Sequence, residues 1–236
     1  MKNKIIVLMM ALMIVGLAAG NAAASEWEAV GGLAITETTL DAWNEKIDRI
    51  NTVFDGSNPK VPVPASNVEE MDNIDRVPMI YLGARKQINE KWAGVVRYEH
   101  IFGKIEGSST LQGLPEPKHE GEIEVKLNGL AFLGEYELND RWSLNGGVAI
   151  YNGDKSKKFS GSAFKGNPAT PADAEYDLDA VSYRAGVKYA KAFAENWDFN
   201  ANLDYLYMEI DDADPTEPTG IYSAGFSYGV GVTYSF

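Results

Sequence analysis

The residues that could form a hydrolytic site lie close together in the first half of the chain. They are Glu99, His100, Ser108, Ser109, His119 and Glu120. Nucleophilic catalysis needs a base, a nucleophile and an orienting group that converge. No spacing here forces that convergence, and His100 shares strand parity with Trp92 and Tyr98, on an apolar face. The pattern therefore favours a protein that is not an enzyme, and catalysis by His100 or His119 stays an alternative.

Acidic residues cluster in two places, and carboxylate oxygens are the ligands that calcium prefers. The clusters are Asp173, Glu175, Asp177 and Asp179, followed by Asp211, Asp212, Asp214 and Glu217. Neither has the spacing of an EF-hand loop. Solvated acidic loops explain them, so the sequence predicts neither a metal site nor a cofactor.

The composition is acidic throughout. Lys and Arg number 21 against 34 Asp and Glu, a net charge of −13, and cysteine is absent. A chain of this charge with no basic patch is repelled by nucleic acid, which excludes nucleic acid as a partner.

The N-terminus has the pattern of an export signal. Lys2 and Lys4 precede an apolar run that begins at Ile5, and three alanines follow it, ending at Ala24. A basic start, a short apolar run and a small-residue site are typical of a Sec-type signal peptide. We expect residues 1–24 to be removed, which leaves one domain at 25–236.

From Trp27 onward the dominant hydrophobic period is two, which indicates strands. Eight segments follow it: 26–36, 77–88, 92–106, 120–138, 142–154, 176–191, 197–210 and 220–236. Short connections alternate with long ones, and the long ones are 37–76, 107–119, 155–175 and 211–219. In an antiparallel up-and-down barrel this puts every short turn at one rim, as in outer-membrane barrels. The sequence therefore predicts an all-β, eight-stranded transmembrane barrel.

The first long loop holds one helix, predicted over 39–54. Leu40, Trp43, Ile47 and Ile50 recur at helical spacing, and Gly56 follows them. The apolar stripe must be buried. We expect it to cap the loops, with the outer leaflet or a partner as alternatives.

Tryptophan positions indicate that the apolar strand faces point outward, to lipid. Four of the five tryptophans open a segment: Trp27, Trp92, Trp142 and Trp197. On the four strands that start from the short-turn rim they form one periplasmic-side girdle, where tryptophan favours the membrane–water boundary. A soluble barrel or sandwich with its apolar face buried is the competing interpretation, and it gives no reason for a girdle.

The opposite strand faces carry small and charged residues. We predict that ion pairs fill the barrel interior, because buried charges must be paired and eight strands leave room only for side chains. The predicted interior charges are Arg85, Arg97, Glu99, Glu135, Arg184 and Lys188.

Segment 120–130 departs from this pattern. Ile123, Val125 and Leu127 share the parity of Glu135, so they face inward unless a β-bulge resets the phase. Without a bulge, the upper interior is apolar and is predicted to form a pocket for a small hydrophobic molecule.

The C-terminus carries a resemblance to a known group. Tyr234 and Phe236 end the last apolar face, and such an ending resembles the assembly signal that the outer-membrane barrel assembly machinery recognises. With the export signal and eight segments, the chain resembles the small barrels that include the OmpA membrane domain, OmpX and OmpW. The resemblance implies export to the bacterial outer membrane and contact with its lipids and lipopolysaccharide.

Three hypotheses of function follow. The first is a non-enzymatic barrel with an envelope-structural or surface-interaction role. The second is a narrow channel or carrier for small hydrophobic solutes, as proposed for OmpW-like proteins. The third is a lipid-modifying enzyme, since some small outer-membrane barrels are lipid A acylases or deacylases with a His–Ser pair near the outer rim.

Overall fold

A computed structural model describes residues 27–58, 64–114, 116–162, 164, 173–217 and 220–236. The expected signal peptide lies outside these ranges. The elements, in chain order, are β1 (Trp27–Glu37), α1 (Asp41–Phe54), β2 (Ala65–Glu69), β3 (Arg76–Gln87), β4 (Trp92–Leu111), β5 (Lys118–Glu137), β6 (Trp142–Ser160), β7 (Asp173–Ala194), β8 (Trp197–Asp212) and β9 (Ile221–Ser235).

Eight of the strands close into a barrel. β1 pairs with both β3 and β9, the remaining strands pair in chain order, and all pairings are antiparallel. The pairing of β4 with β5 completes the ring. The predicted eight-stranded barrel with one helix in the first loop is therefore confirmed.

The register around the barrel fixes the tilt of the strands. A row of paired residues that leaves β9 at Val232 enters β1 at Gly31 and returns to β9 at Tyr222. The displacement from 232 to 222 is ten residues, so the strands tilt at the ~35–45° that closed barrels require.

The strands β4 to β7 are longer than the sequence predicted. They continue past the expected ends on the loop side, as far as Leu111 on β4 and Ser160 on β6. The short strand β2, which the alternation did not predict, pairs with the end of β4. Together these extensions form a wall that projects from the loop-side rim, called here the outer wall.

The helix α1 occupies the loop-side mouth. Trp43, Ile47, Ile50 and Phe54 are buried on one side of it, in the same apolar cluster as Leu127. Two asparagines of α1 hold the returning chain: Asn51 exchanges hydrogen bonds with the backbone of Met71, and Asn44 accepts one from the amide of Ile74. Among the described residues, no helix is long and apolar enough to cross a membrane.

Candidate functional site

A belt of exposed apolar side chains surrounds the barrel above the short-turn rim. At its lower edge, three tryptophans pack at an angle against the tyrosines that the register places opposite them. The ring-centroid distances are 5.0 Å for Trp92–Tyr136, 5.1 Å for Trp142–Tyr189 and 4.8 Å for Trp197–Tyr234. The fourth tryptophan, Trp27, lies under the ammonium of Lys86. The girdle residues thus share one rim.

The belt is as tall as a bilayer core. It extends from Trp27 to Ile35 on β1 and from Trp197 to Tyr207 on β8. A tilted transmembrane strand needs the same ~9–11 residues. Above it, on the outer wall, Lys104 bridges Glu106 and Glu122. Along the barrel axis, the outward-facing side chains therefore change at one level from apolar to charged and ion-paired.

Inside the barrel, the half near the short turns is closed by an ion network. Arg85 donates to Glu28 at 2.7 Å, to Glu135 at 2.8 Å and to Glu137 at 2.6 Å. Lys188 meets the same Glu135 at 2.8 Å. Three carboxylates thus surround one guanidinium, and the network joins β1, β3, β5 and β7 across the lumen.

A second network fills the middle of the lumen. The carboxylate of Glu99 is fully buried and accepts from Arg97 at 2.5 Å, from Arg184 at 2.6 Å and from the Tyr151 hydroxyl. Two nitrogens of Arg184 and one oxygen of Asp204 lie buried without a protein partner. Buried polar groups of this kind are ordinarily satisfied by ordered water.

The half near the loops is closed by α1 and the apolar side chains around it. Ile123, Val125 and Leu127 face inward, because β5 keeps its register without a bulge. The cavity between α1 and Ile123 measures about 10 Å³, and the pocket for a small hydrophobic molecule at these residues stays a prediction. At this level the described part of the interior is occupied by the protein's own helix.

A third ion cluster fastens α1 to the last loop. Lys46 of α1 and two lysines of β6, Lys155 and Lys157, surround Asp214 and Glu217. Trp43 Nε1 also donates to Asp212 at 3.2 Å, and Lys155 binds that same carboxylate. We call these residues the loop-side latch.

The latch carboxyls are held ionised. Burial opposes ionisation of Asp214, but hydrogen bonds from Lys157 and Thr216 outweigh it and hold its pKa well below the usual range. For Glu217, burial is likewise outweighed by the charge of Lys155 and a hydrogen bond from Lys46, so its pKa is lowered. Asp214 and Glu217 are therefore ionised at neutral pH.

The candidate catalytic residues do not converge. His100 faces outward near the upper edge of the belt, where Asn128 holds its Nδ1 at 2.9 Å and Phe102 stacks on it. His119 is fully buried on the inner face of the outer wall. Ser109 stands opposite His119 in the register and is buried, while Ser108 binds Glu69. Among the residues that the structure describes, the arrangement brings no serine, histidine and carboxylate together at an accessible point.

Sequence reasoning missed the latch. Lys155 and Lys157 fell in a stretch assigned to a loop, and their partners come from residues 57 to 62 positions further along. The available signal was the alternation of two lysines that continues β6 beyond Asn152.

Similarity to known proteins is found among solved structures. No family model matches the chain, and no curated protein matches it. Among solved structures, Ail of Yersinia pestis in complex with the heparin analogue sucrose octasulfate is 13% identical with a TM-score of 0.48, covering 89% of this chain and 98% of that one.

Two further structures are similar to the same degree. Neisserial surface protein A is 13% identical with a TM-score of 0.44, covering 89% of this chain and 97% of that one. The outer membrane protein OprG of Pseudomonas aeruginosa is 12% identical with a TM-score of 0.40, covering 90% and 96%. These similarities concern the barrel fold and carry nothing about activity.

Proposed function

We propose that this protein is a sealed barrel of the bacterial outer membrane, and that it acts through envelope support and through the outer wall above the lipid. Removal of residues 1–24 during Sec-dependent export and recognition of Tyr234 and Phe236 by the assembly machinery are parts of this proposal. Outer-membrane lipids, including lipopolysaccharide around the base of the wall, are its expected surroundings.

The observation that supports the proposal most strongly is the closure of the lumen at three successive levels. Arg85 and Glu135 close the lowest level, Glu99 and Arg184 the middle, and α1 the highest. A diffusion channel needs a continuous aqueous path, and barrels of eight strands have little interior beyond their side chains.

The test is single-channel conductance in planar bilayers. The parent protein is expected to give no stable conductance, whereas Arg97→Ala, which removes one of the long side chains of the middle level, is expected to leak. Arg76→Ala is the matched control, because Arg76 forms an exposed pair with Glu37 outside the barrel at 3.8 Å. Discrete conductance of the parent would overturn the sealed barrel.

Orientation is tested on intact cells with an amine-reactive reagent that does not cross membranes. The wall lysines Lys104, Lys118 and Lys158 are expected to react. Lys91 and Lys191, at the short-turn rim, should react only after the outer membrane is opened. Reaction of all five in intact cells would contradict the proposed orientation.

A carrier for small hydrophobic solutes is the second candidate, favoured by the apolar surroundings of α1. If α1 leaves the mouth, Ile123, Val125 and Leu127 become the wall of an apolar pocket. A fluorescent hydrophobic probe would then enter, and Leu127→Asp would abolish its uptake. Equal uptake by the parent and Leu127→Asp would reject this candidate.

A further inference from the structure

The lipid-facing surface of β4, β5 and β6 contains a groove directly above the girdle. It measures about 410 Å³, and Trp92, Tyr136 and Leu144 line it with Gly134 and Gly146. Its floor continues onto β4, because the register sets Gly94 opposite Gly134 and Gly134 opposite Gly146. With neighbouring strands ~4.8 Å apart, a floor across three strands is roughly 10 Å wide.

The packing of the protein does not require these glycines. A Cβ placed on Gly94, Gly134 or Gly146 would meet no atom closer than 3.5 Å. On the inward face of the same β6 strand, a Cβ on Gly147 would lie 2.1 Å from a backbone oxygen. Close contact with the neighbouring strand thus requires glycine at position 147. The groove glycines instead leave space that a molecule from outside can occupy.

A cation stands at the lower end of the groove. Lys91 lies in the short turn beside Trp92, with its ammonium 5.9 Å from the Tyr136 ring. Within the described ranges, Lys91, Arg141 and Lys191 differ from most basic residues in having no carboxylate within ion-pair distance. Glu90 shares the turn with Lys91 and is exposed.

The groove therefore offers an apolar trough with aromatic walls, inside the belt and ending at an unpaired ammonium at the membrane boundary. Tryptophan and tyrosine rings suit the headgroup level, and an ammonium there complements a phosphate. The groove opens to the lipid side and lies in the periplasmic half of the belt. Both features favour a lipid of the periplasmic leaflet as its occupant.

We propose that this groove binds one glycerophospholipid of the periplasmic leaflet, with an acyl chain across Gly134 and Gly146 and the phosphate at Lys91. The inference rests on the proposed location of the barrel in the outer membrane.

The test is native mass spectrometry of the protein extracted from outer membranes in a non-ionic detergent. The parent is expected to retain one glycerophospholipid per chain. Gly134→Leu, which fills the trough, is expected to lose it, and Lys91→Glu is expected to retain several-fold less. Matched controls are Ala201→Leu on the lipid face of β8 and Lys191→Glu at the same rim, both expected to retain the lipid.

Equal retention in all five proteins would overturn the proposal, as would equal loss from Lys91→Glu and Lys191→Glu. A retained lipopolysaccharide, or a second copy of the chain in place of the lipid, would also overturn it. Membrane fractionation of each variant is measured in parallel. A barrel that fractionates with the outer membrane but retains no lipid refutes the groove alone, whereas a parent absent from that fraction refutes the proposed location.

Discussion

The two ends of the barrel interior are closed by different means. Near the short turns, charges such as Arg85 and Glu135 are carried by the strands themselves, so this closure lasts as long as the barrel. Near the loops, the closing element is α1, which is joined to the barrel through the chain on either side and through the latch. The barrel thus combines a lower seal, which lasts as long as the strands stay paired, with an upper seal, which we expect to open locally.

The largest effect is expected where an ion network carried by the strands is broken, as at Glu99 in the middle level. Glu99→Ala leaves Arg97 and Arg184 buried without their carboxylate, and breaking a buried pair in this way costs about 3–5 kcal/mol. The free energy of unfolding in vesicles, measured with urea, is expected to fall by that amount. Glu99→Gln, which keeps a partner for Tyr151, should lose less. An unchanged value for Glu99→Ala would show that the middle level is not a seal.

The upper seal is expected to respond locally. Ile47→Ala removes a buried side chain of α1, and such truncations cost about 2–5 kcal/mol. Hydrogen exchange of α1 should accelerate accordingly, while exchange in β6 and β7 stays as in the parent, because local opening does not require the barrel to unfold. Asp48→Ala, on the exposed side of α1, is the control. Equal acceleration in the strands would mean that the two seals are one unit.

Acid is expected to loosen the upper seal. The pKa values of Asp214 and Glu217 are lowered in the closed form, so their contribution is complete above the usual carboxyl pKa of about 4 and is lost as pH falls below it. Each carboxyl then loses up to about 1.4 kcal/mol per pH unit.

The opening equilibrium of α1, obtained by dividing its exchange rate by the intrinsic amide exchange rate at each pH, is therefore expected to be constant from pH 5 to 8 and larger at pH 3. Lys46, Lys155 and Lys157 are the basic groups that face these carboxyls. Asp214→Asn should speed exchange at neutral pH and flatten the pH profile. A profile that rises equally at both ends of the range would refute the role of the latch carboxyls.

The smallest effect is expected outside both seals. Glu122 on the outer wall binds Lys104 and Lys158, both exposed. Exposed pairs of this kind are screened by salt and add little. Urea unfolding of Glu122→Gln should match the parent, and a loss comparable with that of Glu99→Ala would show that the wall is part of the folding core.

The barrel could be predicted because its signal is local. A period of two is visible within each strand, and the tryptophans that open four strands mark one rim without any knowledge of pairing. The inward orientation of Ile123, Val125 and Leu127 followed from the alternation along their strand alone, on the assumption that the strand contains no bulge. The six interior charges lie inside the barrel for the same reason.

The remaining features depend on contacts between distant parts of the chain. α1 was predicted over 39–54, but its place in the mouth is set by side chains of β5, β6 and the last loop. β2 has five residues, and Asn67 within it has a positive φ of 52°. A strand this short and irregular gives no alternating pattern in the sequence. The extensions of β4 beyond Glu106 contain Gly107, Ser108 and Ser109, whose composition is that of a loop.

Contacts between the start of α1 and the last strand couple docking of the helix to closure of the barrel. β1 and β9 meet at the closing seam, where Thr36 bonds Ser227 across 191 positions of sequence. Thr39, just before α1, accepts from the amide of Ala224 and donates to its carbonyl. Closing contacts between such distant residues form slowly. β9, the strand that completes the barrel, is thus also the strand that contacts the chain just before α1. Docking of α1 and closure of the seam between β1 and β9 are therefore expected in one kinetic phase of folding.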